Sequence, residues 1–128
     1  MTRAILSATL VAALLAAAPA DAAKRKVAVP DRFDGRWSIE VVTQDGPCDR
    51  AYRYGVQIER GEASYEGGEF AISGRVSPAG TVRAVISRGN DRAQVSGRLA
   101  RSGTGSGTWQ TAGGLIGCSG SWSAVRRG

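Results

Sequence analysis

Histidine is absent from this chain of 128 residues, and cysteine occurs only twice. Without an imidazole there is no Ser-His-Asp or Cys-His arrangement, and most zinc sites lose a usual ligand. Carboxylates never gather: Asp45 and Asp49 flank one turn, while Glu62, Glu66 and Glu69 surround one short segment. That second group is the nearest approach to a glycosidase pair, but solvation of turns and edges accounts for it. Glycine is plentiful, yet none lies between a strand-like and a helix-like stretch, so no phosphate-binding loop is present. These absences leave little chemistry to run, and the expectation is a protein that is not an enzyme and carries no cofactor.

Long apolar runs are lacking too, except at the start. Arg3 precedes an apolar run over residues 5–18, followed by Ala18-Pro19-Ala20 and Ala20-Asp21-Ala22, small-x-small patterns that a signal peptidase cuts. The run is shorter than the roughly 20 residues a membrane-spanning helix needs, so residues 1–22 read as a cleaved signal peptide and no transmembrane segment is expected. The product would be periplasmic or secreted. Residues 23–32, with Lys24-Arg25-Lys26 and Pro30, fit neither helix nor strand and read as a flexible N-terminal arm ahead of one domain over residues 33–128. In an exported chain two cysteines imply a disulfide, Cys48 to Cys118.

What is present is glycine-punctuated alternation, the pattern of an antiparallel all-β domain. Trp37, Ile39 and Val41 share one face of a first strand; Tyr52, Tyr54, Val56 and Ile58 share one face of a second. A short third strand carries Ala63 and Tyr65, and a fourth Phe70, Ile72, Gly74 and Val76. Val82, Ala84 and Ile86 mark a fifth, Ala93, Val95, Gly97 and Leu99 a sixth, Gly105, Gly107 and Trp109 a seventh, and Cys118, Gly120, Trp122 and Ala124 an eighth. No stretch has a helical period. Ile72-Ser73-Gly74-Arg75-Val76 followed by Gly80-Thr81 recurs as Val95-Ser96-Gly97-Arg98-Leu99 followed by Gly103-Thr104, as if two hairpins shared one template. In an eight-stranded meander the last strand begins where the first ends, which is where Cys118 and Cys48 fall. The expected fold is therefore a small eight-stranded antiparallel up-and-down barrel with one disulfide, the alternative being a β-sandwich.

The inward positions of the later strands are mostly Gly or Ala. Either they leave a pocket lined by Tyr52, Tyr54, Tyr65, Phe70 and Trp109, or the sheet coils tightly around those rings. With so few residues per strand the barrel is narrow, and a filled core is the expectation. Outward, Arg75, Arg83 and Arg98 fall on neighbouring strands and form a candidate anion-binding face. Lys and Arg total 17 against 11 acidic residues, and arginine suits bidentate contact with carboxylate, phosphate or sulfate. Nucleic acid is not an expected partner, because the aromatics that would stack with bases face inward.

Gly35-Arg36-Trp37 at the start of the first strand, with Arg126 or Arg127 ending the last, resembles the signature of the calycin superfamily of lipocalins, avidins and bacterial metalloprotease inhibitors. The resemblance implies a calycin-like barrel in which Trp37 and Arg126 are structural; independently of it, the Gly-x-Trp triplet of the last strand points Trp122 back to Trp37. Over nearly the whole domain the chain also resembles uncharacterised small exported proteins of rhizobia and relatives, through Phe33-Asp34-Gly35-x-Trp37, Cys48-Asp49-x-Ala51-Tyr52, Gly107-Thr108-Trp109 and Cys118-Ser119-Gly120-x-Trp122. Some of those carry names invoking haem utilisation or adhesion; here only a tyrosine could serve as axial ligand. The functional expectation is an exported binding or interaction protein of the cell envelope, partnered by an anionic envelope glycan or lipid or by a small apolar ligand. The alternatives are a calycin-like periplasmic inhibitor of a secreted protease, whose arm enters the target's cleft, and a purely structural envelope protein.

Overall fold

The computed structural model describes residues 32–113 and 117–128. The expected signal peptide lies outside them, as does the expected arm apart from Arg32. Eight strands follow one another: β1 (Gly35–Asp45), β2 (Ala51–Glu59), β3 (Glu62–Ser64), β4 (Ala71–Val76), β5 (Thr81–Arg88), β6 (Asp91–Leu99), β7 (Thr104–Thr111) and β8 (Ser119–Arg126). Each pairs antiparallel with the next, and β8 pairs with β1, so the sheet is a closed barrel rather than a sandwich. Closure covers the outer edges of β1 and β8, while β2 before Gln57 and β4 before Gly74 lack a partner on the side of the short β3.

Alternation decides which side chains point in. Trp37, Val56, Ile58, Val76, Leu99, Trp109, Trp122 and Ala124 are buried, and the residues alternating with them along each strand face outward. The outward face of β4 to β8 is built mainly from Ser, Thr, Gln and Arg, with Ala71, Val85 and Val125 as scattered apolar positions, the opposite of the apolar band that a membrane-spanning barrel presents to lipid. No helix of the described residues is long and apolar enough to cross a membrane.

One end of the barrel is shut. Trp37, 1% exposed, lies across it, donates its indole N–H to the Phe33 carbonyl at 2.8 Å, and carries the Arg126 guanidinium 4.9 Å above its ring. Three hairpin turns converge there and share a device. The carbonyls of Gly61, Gly80 and Gly103 accept from the N–H groups of Val76, Leu99 and Arg126, at 2.7, 2.7 and 2.8 Å. Each turn is thus fastened to the strand beyond its own hairpin. The repeated sequence template matches a repeated geometry: Gly80 N–H donates to Ser77 and Ser77 N–H to Thr81, just as Gly103 N–H donates to Ala100 and Ala100 N–H to Thr104. Gly80 and Gly103 adopt φ of +93° and +98°, a region that favours glycine. In the β2–β3 turn Arg60 itself has φ of 52°, and the Asp34 carboxylate accepts from Arg60 N–H at 2.8 Å and Gly61 N–H at 3.3 Å, offsetting the strain.

The small residues of β6 to β8 seat two indoles. A Cβ on Gly107 would lie 2.6 Å from the Trp122 ring nitrogen, and one on Gly120 would lie 3.0 Å from that of Trp109. Both rings therefore lie close against the inner wall, with their N–H groups donating to the Ser96 and Val42 carbonyls at 3.0 and 3.2 Å. At the other end of the barrel Cys48 and Cys118 are joined, 70 residues apart.

Replacing both cysteines with alanine should lower unfolding stability by about 4 kcal/mol, the chain-entropy value for such a loop; denaturant unfolding of the two forms measures it. Gly107→Val should destabilise by roughly 1–3 kcal/mol through overpacking against the Ser96 carbonyl and Gly97 Cα of the neighbouring strand and against Trp122. An unchanged denaturation midpoint would show that both the β6–β7 backbone and the ring can give way.

Candidate functional site

The expectation of a filled core does not hold. A cavity of about 320 Å³ runs through the barrel, from Trp37, Ile58 and Leu99 at the shut end to Arg88 and Asp91, both exposed, at the other. Its physical cause is uneven filling. Trp109 and Trp122 occupy the β6–β8 side, whereas β4, β5 and the first part of β6 contribute short or thin side chains such as Ile72, Ala84, Ala93 and Val95. These are only half-buried although they point inward. The wall is thus apolar and reachable by solvent.

Polar atoms are sparse inside. The Thr111 hydroxyl is engaged, donating to the Cys118 carbonyl at 3.2 Å and accepting from Cys118 N–H at 2.9 Å. All three indole N–H groups are spent on backbone carbonyls. Tyr54 differs: its hydroxyl makes no hydrogen bond among the described residues. Burial, with the neighbouring Tyr65 as a lesser cause, pushes Tyr54 up to about 12, so its phenol stays neutral and is a hydrogen-bond donor in the cavity lining.

Four of the five expected pocket residues, Tyr52, Tyr54, Phe70 and Trp109, line this cavity. Tyr52 does so from the rim, 41% exposed, with its hydroxyl accepting from Asp49 N–H at 3.2 Å. Tyr65 does not line it. The chain leaves the sheet after Ser64, because β3 pairs only Glu62 and Ala63 with β4 before Gly67 and Gly68, and Tyr65 then stacks on Phe70 at 4.3 Å. Tyr54 meets both rings edge-on, at 5.7 Å from Tyr65 and 5.2 Å from Phe70. The trio packs beside the half of β2 that has no partner on β3, since that pairing ends at Gln57 and Ser64.

Glu69 accepts from the Tyr65 hydroxyl at 2.7 Å; that bond holds the Glu69 carboxyl below its usual range and raises the Tyr65 phenol. Glu62 faces Arg75 at 3.5 Å instead. The glutamates of this region are therefore taken up separately. Asp34, which caps the β2–β3 turn, carried no sequence signal beyond its place in the Phe33-Asp34-Gly35 motif.

Outside the barrel, Arg75 and Arg83 are directly paired across β4 and β5, and Arg98 lies on β6 opposite Thr81, two residues before Arg83. The three expected members of the basic face are thus adjacent. Trp37, Trp122 and Arg126 occupy the core and the shut end. No family model, no curated protein and no solved structure matches this chain.

The raised Tyr54 predicts a specific alkaline behaviour. Its folded value lies above the ordinary phenol near 10, so the stability tied to keeping it neutral is whole below about pH 10 and is lost as pH rises toward 12. Absorbance titration of the folded protein should show one tyrosine ionising last, near 12, and Tyr54→Phe should remove that step.

Proposed function

We propose that this chain is an exported, non-enzymatic binding protein whose barrel takes up a small, uncharged, largely apolar ligand. The observation that carries the reading is the cavity of about 320 Å³ whose inward apolar side chains remain half-exposed. A closed void of that size would cost several kcal/mol at about 24 cal/mol per Å³, a large share of a small domain's margin. An open apolar cavity of roughly 300 Å³ or more with few polar groups is the form that small-molecule sites take. Its capacity is about ten waters at ~30 Å³ each, which admits a compact ring system or a short acyl chain.

The lining favours a neutral guest, because an unpaired charge would be stranded among Ile, Val and aromatic side chains. One acceptor on the guest would satisfy the Tyr54 hydroxyl. A binding role rather than catalysis is supported by the engaged Thr111 hydroxyl and by a lining that is otherwise apolar apart from the tyrosines and from Arg88 and Asp91 at the open end. The disulfide favours an oxidising compartment such as the periplasm or the exterior. Neither the protease-inhibitor reading, whose arm lies almost wholly outside the described residues, nor the purely structural one has a specific observation in its favour.

Native mass spectrometry of the oxidised protein from its own source should show an added mass that denaturation releases. The purified protein should also bind the neutral fluorophore N-phenyl-1-naphthylamine. Ala84→Phe combined with Ala93→Leu, which fills the space, should weaken that binding at least tenfold while keeping or raising Tm. Absence of both the added mass and fluorophore binding would overturn the reading.

A further inference from the structure

Charge is segregated around this barrel. Beyond Glu69 the chain contains a single carboxylate, Asp91, set against Arg75, Arg83, Arg88, Arg92, Arg98, Arg101, Arg126 and Arg127. Asp91 pairs across the β5–β6 hairpin with Arg88, and both border the cavity. The outward face of β4 to β8 therefore carries no carboxylate side chain, while the other acidic residues among those described lie on or around β1 to β3.

The register converts that face into ordered rows. One row runs Arg75, Arg83, Ser96, Thr108, Ser121 across five successive strands. The row beside it runs Ser73, Val85, Gln94, Gln110, Ser119, and the row on the other side Thr81, Arg98, Ser106, Ser123 over β5 to β8. Neighbouring strands are about 4.8 Å apart, so the first row spans roughly 19 Å. A shallow outer groove of about 690 Å³ follows these rows, bordered by Arg83, Gln94, Ser96, Thr108 and Gln110.

Two of the three arginines are not neutralised where they stand, and the third is paired only at the surface. Arg75 has only the exposed Glu62, at 3.5 Å. Arg83 and Arg98 have no carboxylate within 4.0 Å among the described residues, whereas Arg53 on the opposite side is ion-paired with Glu40. Arg75 and Arg83 sit directly opposite each other, and like charges in that position are destabilising. Folding does not benefit from such a pair; an anion bridging the two guanidinium groups would.

We infer that the outer face of β4 to β8 is a binding track for an acidic polysaccharide, whose carboxylate or sulfate groups lie on Arg75, Arg83 and Arg98 and whose hydroxyls lie along the Ser, Thr and Gln rows. The chemistry of the rows selects this occupant. A membrane surface is bound through an apolar or aromatic wedge beside the basic residues, and single-stranded nucleic acid through stacking rings; Val85 is the one apolar side chain in these rows, and the barrel's aromatics are elsewhere. Rows of short hydroxyl and amide side chains instead match a ligand that is itself a chain of hydroxyls with periodic negative charge.

The test uses the full chain with polygalacturonate and dextran sulfate, neutral dextran as the uncharged comparison, phosphatidylglycerol-containing vesicles and a single-stranded oligonucleotide. Binding to the acidic polysaccharides, weakening with salt, is expected. R83Q combined with R98Q should weaken it roughly tenfold or more, as expected when two charge-assisted contacts are lost, and R53Q should leave it unchanged; both changes are at exposed positions, and circular dichroism checks that they fold. R83Q alone is the fallback, with a smaller loss expected. The inference is overturned if the double variant binds polysaccharide as the parent does, if R53Q loses as much, or if vesicles or the oligonucleotide bind more tightly than the polysaccharides. Uptake of N-phenyl-1-naphthylamine should be unaffected by R83Q and R98Q, so failure of the track and failure of the cavity are separately visible.

Discussion

The seam between β1 and β8 is the one pairing in this sheet that joins strands far apart in sequence, and it is fastened at both ends. At the shut end Trp37 lies opposite Arg126 in the register, and the guanidinium folds back over the ring. The Arg36 N–H donates to the Gly128 carbonyl at 2.9 Å, and Arg127 N–H donates to the Arg36 carbonyl at 2.7 Å. At the other end the disulfide joins the β1–β2 connection to the residue just before β8. Between these, Val41 faces Trp122 across the seam. Without it the remaining strands would form an open meander, and neither an interior nor a continuous outer face would exist.

The interior is asymmetric for a steric reason. Two indoles can lie flat on the wall only where the strands beneath them lack Cβ atoms, and Gly97, Gly107 and Gly120 supply that ground on β6 to β8. Having spent its bulk there, the chain places alanine and slender aliphatics on the facing strands, so a gap remains. Filling one side of the barrel and hollowing the other are consequences of the same placement. The aromatic trio of Tyr54, Tyr65 and Phe70 then closes the side wall where β3 is too short to do so.

Much of this was legible in the sequence. Period-two alternation located all eight strands, and the position of Cys48 and Cys118 in a meander anticipated both the bond and the closure. Which alternative the small inward residues served was not legible, because Gly and Ala read alike when the question is whether a neighbouring ring covers them; Gly107 is covered by Trp122 while Ala84 faces open space. Tyr65 was misplaced since alternation continues past Ser64 even though the hydrogen bonds of β3 do not. The basic face was visible as three arginines, but the stronger signal was the near-absence of carboxylates after Glu69, a matter of order along the chain rather than of totals.

The nearest-neighbour order of the strands bears on how the molecule comes into being. Seven of the eight pairings join consecutive segments, and such local hairpins form quickly as a chain emerges. β1 is made first yet has to wait for β8, the last strand to be synthesised, before its second edge is covered. Until then Trp37 lacks its Arg126 lid and Cys48 has no partner thiol. Vectorial synthesis therefore delivers an open ribbon with two free edges whose final event is ring closure, and every residue up to Arg126 must have emerged before the barrel can hold anything.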